Sequence, residues 1–234
     1  TRGSALSTPY QSELFDAVIT DPPYYDNVSY SNLSDFFYVW LKRSIGHLYP
    51  DHFGSALTPK KSEAIAASYR HDGNKNQAEK AYEDMMAQAF SEANRILKPS
   101  APLVIVYAHK TTVGWATLVD ALRQARFVVV EAWPLDTENT SRLIAMDTAA
   151  LASSIFLIAR RREGNPIGSY ESDVQPELES IVRERVETLW SKGVTGADLV
   201  IACVGAGLRA FTRFARVEYA NGEEVKADRF LGEV

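Results

Sequence analysis

Two consecutive prolines, Pro22 and Pro23, place the strongest local constraint on how this chain can fold. They follow residues 15–20, a short apolar run with the length and β-branched content of a buried strand. Neither proline can donate a backbone hydrogen bond to a β-ladder, and each fixes its own φ at about −65°. We therefore expect the strand to stop here and the chain to form a stiff bend, called the elbow below, over residues 21–24.

Strand-like and helix-like segments alternate along the rest of the chain. The predicted elements, in chain order, are a strand over residues 15–20, a helix over 33–45, a helix over 76–97, a strand over 103–107, a helix from Thr111 or Thr112 to 125, and strands over 127–133 and 154–159. The last 60 residues are expected to form helices that flank the sheet. Strands alternating with helices indicate an α/β fold with a mainly parallel sheet and crossover helices.

The helix predicted over residues 33–45 is rich in aromatic side chains. Phe36, Phe37 and Trp40 follow helical spacing, so we expect them in the core and not at a ligand site. Residues 46–73 are mixed and polar, which predicts an excursion beside the elbow.

The elbow carries groups that suit a particular kind of ligand. Ligands of open α/β sheets bind at the carboxyl ends of the strands, where the elbow is expected. The Asp21 carboxylate and the Pro22 carbonyl are two hydrogen-bond acceptors beside the aromatic face of Tyr24. A planar ring bearing an exocyclic amino group fits this set, which favours methylation of the amino group of adenine or cytosine.

The string Asp-Pro-Pro-Tyr after an apolar strand resembles the catalytic motif of S-adenosylmethionine-dependent amino-methyltransferases that act on DNA. In that superfamily, Asp or Asn at the first position is mostly associated with adenine N6, and Ser with cytosine N4. The wider segments, DPPYYDNVSYSNLSDFFYVWL and ILKPSAPLVIVYAHK, resemble the large predicted adenine-specific DNA methylases that also carry a zinc ribbon. This likeness extends from about residue 15 to residue 231.

The resemblance implies a fold, a cofactor and a partner. The fold is a Rossmann-like methyltransferase sheet, mostly parallel with an antiparallel last strand, of which this chain holds the C-terminal part with flanking helices. The cofactor is S-adenosylmethionine, and the partner is DNA with the target base flipped from the duplex. Carried onto this sequence, the catalytic residues are Asp21, Pro22, Pro23 and Tyr24, and Asp21 also contacts the cofactor.

Four residues outside the elbow are further candidates for substrate contacts. Tyr25 and Asp26 directly follow the motif, although a turn that continues the elbow explains them equally well. Lys110 closes the second strand at the same edge, where a solvated lysine is the alternative. Arg142 falls on the loop between the last two strands, a region that approaches the substrate in related methyltransferases, so it is a candidate phosphate contact.

Composition bounds the class of protein. A chain of 234 residues with 46% hydrophobic content can bury the core of one domain, or of one domain with a small appendage. Cys203 is the only cysteine, which excludes an internal disulfide and a four-cysteine zinc site. We therefore expect no metal, and this cysteine usage is typical of a cytoplasmic protein. No signal peptide and no long apolar run are visible, so nothing indicates a membrane.

The net charge of −5 provides no general attraction for the phosphates of DNA. Short basic clusters occur at residues 42–43, 60–61, 109–110 and 160–162, and we expect them to be solvated surface features. The charge balance therefore neither supports nor excludes DNA as a partner.

One element of the superfamily pattern is absent. These proteins hold the methionine half of the cofactor on a glycine-rich turn after a first strand, and no such string precedes Phe15. The simplest interpretation is that an upstream segment is left out. The alternative is a permuted order with the cofactor turn at Gly205 and Gly207, although the spacing after Thr195 favours an amphipathic helix there.

These observations lead to one expectation and two alternatives. Residues 1–165 are expected to form the catalytic part of a methyltransferase domain that starts near its fourth strand, and residues 166–234 a C-terminal helical extension packed on it. The expected reaction is methylation of adenine N6 in DNA. The alternatives are an enzyme acting on RNA adenine or cytosine N4, and a non-catalytic nucleic-acid-binding module that keeps the fold. The target sequence and the oligomeric state stay open.

Overall fold

The computed structural model describes residues 3–26, 28–107, 112–136 and 153–232. The chain divides into two compact units. The sheet unit consists of Thr1–Pro22 and Met86–Val234, and the helical unit consists of Pro23–Met85. No helix in the described part of the chain is both long enough and apolar enough to cross a membrane.

The centre of the sheet unit is a four-stranded sheet. Its strands are β1 (Val18–Thr20), β2 (Leu103–Tyr107), β3 (Phe127–Asp136) and β4 (Ser153–Arg161), in the spatial order β1-β2-β4-β3. β1 is parallel to β2, whereas β4 is antiparallel to both β2 and β3, so β1, β2 and β3 share one direction. The expected α/β class, with a mostly parallel sheet and an antiparallel last strand, is confirmed, and it fits a Rossmann-like methyltransferase fold.

The core of this unit follows the alternation of side chains along the strands. In β2 every second residue, Leu103, Ile105 and Tyr107, is fully buried, as expected for an interior strand with one face on the core. The helices α2 (Lys75–Ile96) and α3 (Thr112–Gln124) supply much of the rest of the core. Its largest fully buried apolar side chains include Leu97, Leu118, Leu122, Phe127, Ile155 and Leu157.

β1 is shorter and more exposed than the sequence predicts. Phe15 makes an isolated parallel bridge to Leu97, and the continuous strand begins only at Val18. Ile19 is 74% exposed, so the expectation of a fully buried strand is wrong at this residue. The physical reason is position, because β1 is the edge strand of the sheet and the side chain of Ile19 is open to solvent.

The C-terminal part contains the expected helices and two strands that were not expected. The helices are α4 (Gln175–Ser191), α5 (Gly196–Thr212) and α6 (Ala227–Leu231). The strands β5 (Ile167–Ser169) and β6 (Arg216–Glu218) pair in parallel, and a π-helical turn at Tyr170–Val174 follows β5. Strands of three residues contain too little alternation to be recognised in a sequence.

Two buried arginines hold the carboxyl end of α5. Arg162 donates to the Thr212 carbonyl at 3.2 Å, and Arg123 donates to the Ala215 carbonyl at 3.0 Å. The Arg123 guanidinium also lies 4.4 Å from the centre of the Phe211 ring. Burial lowers the pKa of both guanidinium groups, and the carbonyl oxygens at the helix end offset their charge. The expectation that the basic run 160–162 is solvated is therefore wrong for Arg162.

In the helical unit, α1 (Tyr30–Ile45) starts earlier than predicted and is mainly exposed. Phe36, Phe37 and Trp40 are 66%, 65% and 55% exposed, so their predicted place in the core is wrong. Among the residues of α1, only Ser31 is buried. Helical spacing shows which side chains share a face, but it does not show whether anything covers that face.

α1 is held in place by polar contacts and not by burial of an apolar face. The Ser31 backbone N–H and hydroxyl donate to the Glu63 carboxylate at 3.1 and 2.6 Å. One turn later, the Asp35 carboxylate accepts from the Thr58 hydroxyl at 2.5 Å and pairs with Lys60 at 2.6 Å. Lys60 holds the pKa of Asp35 at about 2, with help from Thr58.

Candidate functional site

Asp21 lies one residue beyond the carboxyl end of β1, where the sequence predicts it. Its side chain is exposed, whereas the ring of Pro22 is buried. Because β1, β2 and β3 run in the same direction, their carboxyl ends meet at one edge of the sheet. Asp21 is therefore on the edge where α/β sheets bind their ligands.

The two distal candidates, Lys110 and Arg142, lie outside the described residues. β2 ends at Tyr107 and β3 ends at Asp136, both before these candidates in the chain. Their roles stay predictions.

The second half of the elbow opens the helical unit. Tyr24 is half-buried, and Tyr25 is 7% exposed with a φ of 52°. A positive φ is uncommon for a bulky residue other than glycine and is usually held by surrounding contacts. Here the Tyr25 N–H donates to the Pro23 carbonyl at 3.2 Å, and the Tyr25 carbonyl accepts from the Ala66 N–H at 3.1 Å.

Tyr82 is a residue of this site that sequence reasoning missed. Its hydroxyl donates to the Pro23 carbonyl at 2.7 Å and accepts from the Tyr25 N–H at 3.2 Å. Its ring is 1% exposed and packs edge-on against the Tyr25 ring, with the two centroids 5.4 Å apart. Helical spacing with the buried Ala78 places Tyr82 on the inner face of α2, but no sequence signal shows where its hydroxyl bonds.

Tyr25 is a neutral phenol in this environment. Burial and the neighbouring Glu79 carboxylate raise the pKa of Tyr25 well above its ordinary value. The Tyr25 ring is buried against the Tyr82 ring, whereas the side chain of the neighbouring Asp26 is exposed. Substrate contacts by Tyr25 and Asp26 stay predictions, but the contacts of Tyr25 also make it a support for the elbow.

The chain after the elbow is held by a second polar network. The Arg70 guanidinium pairs with the Glu63 carboxylate at 2.6 Å and donates to the Ser29 hydroxyl at 2.7 Å. Burial alone raises the pKa of Glu63, but the hydrogen bonds from Ser31 and Arg70 outweigh it and lower that pKa. The residues that lead from the elbow into α1 are thus tied to charged side chains.

Gly205 and Gly207 do not form a cofactor turn. Both lie inside α5, and a Cβ added at Gly205 would come within 2.7 Å of the Cβ of Ala132. Gly205 therefore permits close packing of α5 on β3, and the permuted arrangement is not found. The interpretation of this segment as a helix is confirmed.

A cleft of ≈ 90 Å³ in the sheet unit involves none of the elbow residues. Its lining includes Glu131, Arg185, Thr188 and Arg209, which come from β3, α4 and α5. Arg185 is already engaged, because it donates to the Ala132 carbonyl at 2.9 Å. This cleft is small and open, and it is lined by charged side chains of both signs. We interpret it as a surface groove between packed elements.

Comparison with known proteins finds a distant structural similarity. Two crystal structures of a candidate DNA modification methylase from Thermus thermophilus resemble this chain at TM-scores of 0.35 and 0.36. The first, a selenomethionine derivative, is 16% identical and covers 79% of this chain, which spans only 61% of that protein's chain. The second is 17% identical and covers 99% of this chain and 93% of its own. No family model and no curated protein matches the chain.

Proposed function

We propose that this chain catalyses the transfer of a methyl group from S-adenosylmethionine to the N6 amino group of adenine in DNA. The observation that carries this proposal is the elbow. An exposed carboxylate directly follows a strand at the ligand-binding edge of the sheet, and two prolines and a tyrosine come immediately after it.

Asp21 and Pro22 are proposed to activate the amino nitrogen. That nitrogen is a poor nucleophile because its lone pair is delocalised into the purine ring. Acceptors held against its two N–H groups favour a pyramidal nitrogen whose lone pair points out of the ring plane. They also stabilise the positive charge that develops as the methyl group arrives, which is an effect of preorganised electrostatics.

The backbone hydrogen bonds favour Pro22 over Pro23 as the carbonyl acceptor. The Pro23 carbonyl already accepts from Tyr82 and Tyr25. Within the described residues, no hydrogen bond to the Pro22 carbonyl competes with a substrate amino group. The Asp21 carboxylate and the Pro22 carbonyl then form the acceptor pair.

Tyr24 is proposed to receive the target base. A base in duplex DNA must leave the stack to be reached, which costs a few kcal/mol. Stacking on the half-buried Tyr24 ring returns about 1–3 kcal/mol of this cost. Positioning the base in line with the donor methyl lowers the remaining barrier.

S-adenosylmethionine supplies the methyl group when it is bound. The exposed Asp21 carboxylate suits the positively charged amino group of its methionine half, and Asp21 is the residue of this chain that we propose as a cofactor contact. Asp21 does not need to be a strong base, because the proton can leave after the methyl transfer.

The choice of adenine and of DNA rests on the motif. Asp at the first motif position favours adenine N6 over cytosine N4 in the superfamily that the sequence resembles. The segments around the elbow and β2 resemble DNA-acting members of that superfamily.

Substitution of Asp21 tests the proposed function. The purified full-length protein, with any segment that precedes this chain, is incubated with labelled S-adenosylmethionine and adenine-containing DNA, and N6-methyladenine is measured by mass spectrometry of the nucleosides. Asp21→Ala should reduce the rate by roughly 100-fold or more, because it removes one of two preorganised acceptors. Its unfolding free energy should change by less than about 0.5 kcal/mol, because the side chain is exposed.

Asp51→Ala, a change at another exposed aspartate, is the matched control and should keep the wild-type rate. Wild-type turnover in Asp21→Ala, or N4-methylcytosine as the only product, contradicts the proposal.

A further inference from the structure

One hydroxyl group is bonded to the backbone on both sides of Tyr24. The Tyr82 hydroxyl donates to the carbonyl of Pro23, the preceding residue, and accepts from the N–H of Tyr25, the following residue. The distances are 2.7 and 3.2 Å, and the Tyr82 side chain is 1% exposed. Water therefore has little access to these bonds, and without the Tyr82 hydroxyl the Tyr25 N–H and the Pro23 carbonyl would keep only the 3.2 Å bond to each other.

The backbone conformation at Tyr25 depends on such contacts. A tyrosine with a φ of 52° is in the left-handed region, which persists only where neighbouring groups hold it. The Tyr82 ring packs edge-on against the Tyr25 ring, and the Tyr82 hydroxyl takes the Tyr25 N–H. The same side chain thus supports the strained residue through both apolar and polar contacts.

We propose that Tyr82 is a positioning residue for the elbow. This inference rests on the proposed function. The peptide groups on both sides of Tyr24 are hydrogen-bonded to the same oxygen atom. These two bonds fix the backbone conformation of Tyr24 and therefore the direction in which its ring points. The same hydroxyl occupies the Pro23 carbonyl and so leaves the carbonyl of Pro22 as the acceptor for the substrate amino group.

Tyr82→Phe isolates this role because it keeps the ring and removes only the hydroxyl. We expect kcat for methyl transfer to fall by about 10- to 100-fold, the size of effect that a small misplacement of reacting groups produces. The KM for S-adenosylmethionine should stay within about twofold of wild type, since no proposed cofactor contact is altered. The Tyr25 amide should exchange with solvent about 3- to 10-fold faster, as expected for the loss of one hydrogen bond.

Tyr38→Phe is the matched control. The Tyr38 hydroxyl also donates to a backbone carbonyl of the helical unit, that of Ser55 at 2.9 Å, but it makes no contact with the elbow. This variant should keep both the wild-type kcat and the wild-type exchange rate at Tyr25.

The outcomes separate this inference from the proposed function. If Tyr82→Phe keeps the wild-type kcat while Asp21→Ala is inactive, the positioning role is wrong and the proposed function stands. A loss of kcat with unchanged exchange at Tyr25 also overturns it, because the effect then acts elsewhere. A full-length wild-type protein that methylates no DNA contradicts the proposed function, and the exchange rate at Tyr25 alone then decides whether Tyr82 holds the elbow.

Discussion

At the scale of single residues, polar side chains in the described part of this protein bond to backbone groups more often than to one another. The Tyr82 hydroxyl bridges two peptide groups of the elbow. The Thr212 hydroxyl accepts from the Val129 N–H at 2.9 Å and donates to the Leu208 carbonyl at 2.7 Å, so it joins α5 to β3. Such bonds fix the direction of a chain segment, which apolar packing alone leaves adjustable.

The elbow shows what can be predicted about a site and what cannot. Asp21 to Tyr24 are consecutive, and the strand before them and the prolines among them are local signals that a sequence contains. Tyr82 is 59 residues away from Pro23, and its part in the site depends on how the first half of α2 packs in the helical unit. Local patterns carry no information on such a contact, so a structure is needed to find it.

Substitution of Tyr24 tests how the ring acts. If the ring stacks on a base, Tyr24→Phe should keep most of the methyl-transfer rate, whereas Tyr24→Ala should lose stacking worth about 1–3 kcal/mol, or roughly 5- to 150-fold in binding of the flipped base. Fluorescence of DNA with 2-aminopurine at the target position reports the flipped base directly. Equal losses in both variants would assign the effect to the hydroxyl.

Glu92 makes the stability of the sheet unit dependent on pH. Its carboxylate pairs with Arg95 at 2.7 Å and accepts from the Thr8 N–H and hydroxyl at 2.7 and 2.6 Å. Arg95 chiefly, with help from Thr8, lowers the pKa of Glu92 from 4.5 to about 2. A lowered carboxyl pKa stabilises the folded state above the unfolded pKa, and this stabilisation is lost as the pH falls through the folded pKa.

Wild type should therefore melt at a higher temperature than Glu92→Gln at pH 7, and the difference should shrink as the pH is lowered from about 4.5 towards 2. Calorimetric melting curves at several pH values measure it. Glu163→Gln, a change at an exposed glutamate, should show no such trend. A difference that is constant over this range would show that the ionised carboxylate is not what stabilises the fold.

At the scale of elements, the long regular segments could be predicted and the short or irregular ones could not. The prediction for β2 matches the structure from residue 103 to 107, and that for α2 is within one residue at each end. β5 and β6 have three residues each, too few for a periodic pattern. For α1 the helix itself is confirmed, but the burial of its aromatic face is wrong, because spacing alone does not reveal a missing neighbour.

Packing of α5 on β3 depends on the small size of Gly205. A Cβ at this position would meet the Cβ of Ala132 at 2.7 Å. Neither atom can move aside by a side-chain rotation, because a Cβ is bonded directly to the backbone. Gly205→Ala should therefore destabilise the fold by about 1–3 kcal/mol, which is the usual cost of overpacking. The melting temperature should fall by roughly 2–10 °C.

Val200→Ala on the same helix is the control, because Val200 is 61% exposed and its truncation should change stability by less than about 0.5 kcal/mol. If Gly205→Ala melts like wild type, α5 does not approach β3 as closely as the structure shows.

At the scale of the whole molecule, large apolar side chains are unusually exposed. On α1 alone, Leu33, Phe36, Phe37 and Trp40 are each more than half exposed. Contiguous apolar surface of this kind is rare on soluble monomers and favours association. In the sheet unit, the side chain of Ile19 is 74% exposed as well.

The tryptophans report on this exposure. The chain has four, of which Trp40, Trp133 and Trp190 are 55%, 51% and 63% exposed, whereas Trp115 is 5% exposed. Acrylamide should quench most of the emission and leave a protected fraction, and Trp115→Phe should remove that fraction. A wild-type emission that is mostly protected would mean that these side chains are covered in solution.

β4 is the last of the four strands in chain order, but in space it lies between β2 and β3. During translation, the ribosome therefore delivers both neighbours before the strand that joins them. Until residues 153–161 emerge, β2 has an open inner edge, and β3 has no partner in this sheet. A polypeptide cut short before Ser153 would leave the two strand edges that β4 covers unpaired, which favours aggregation over folding.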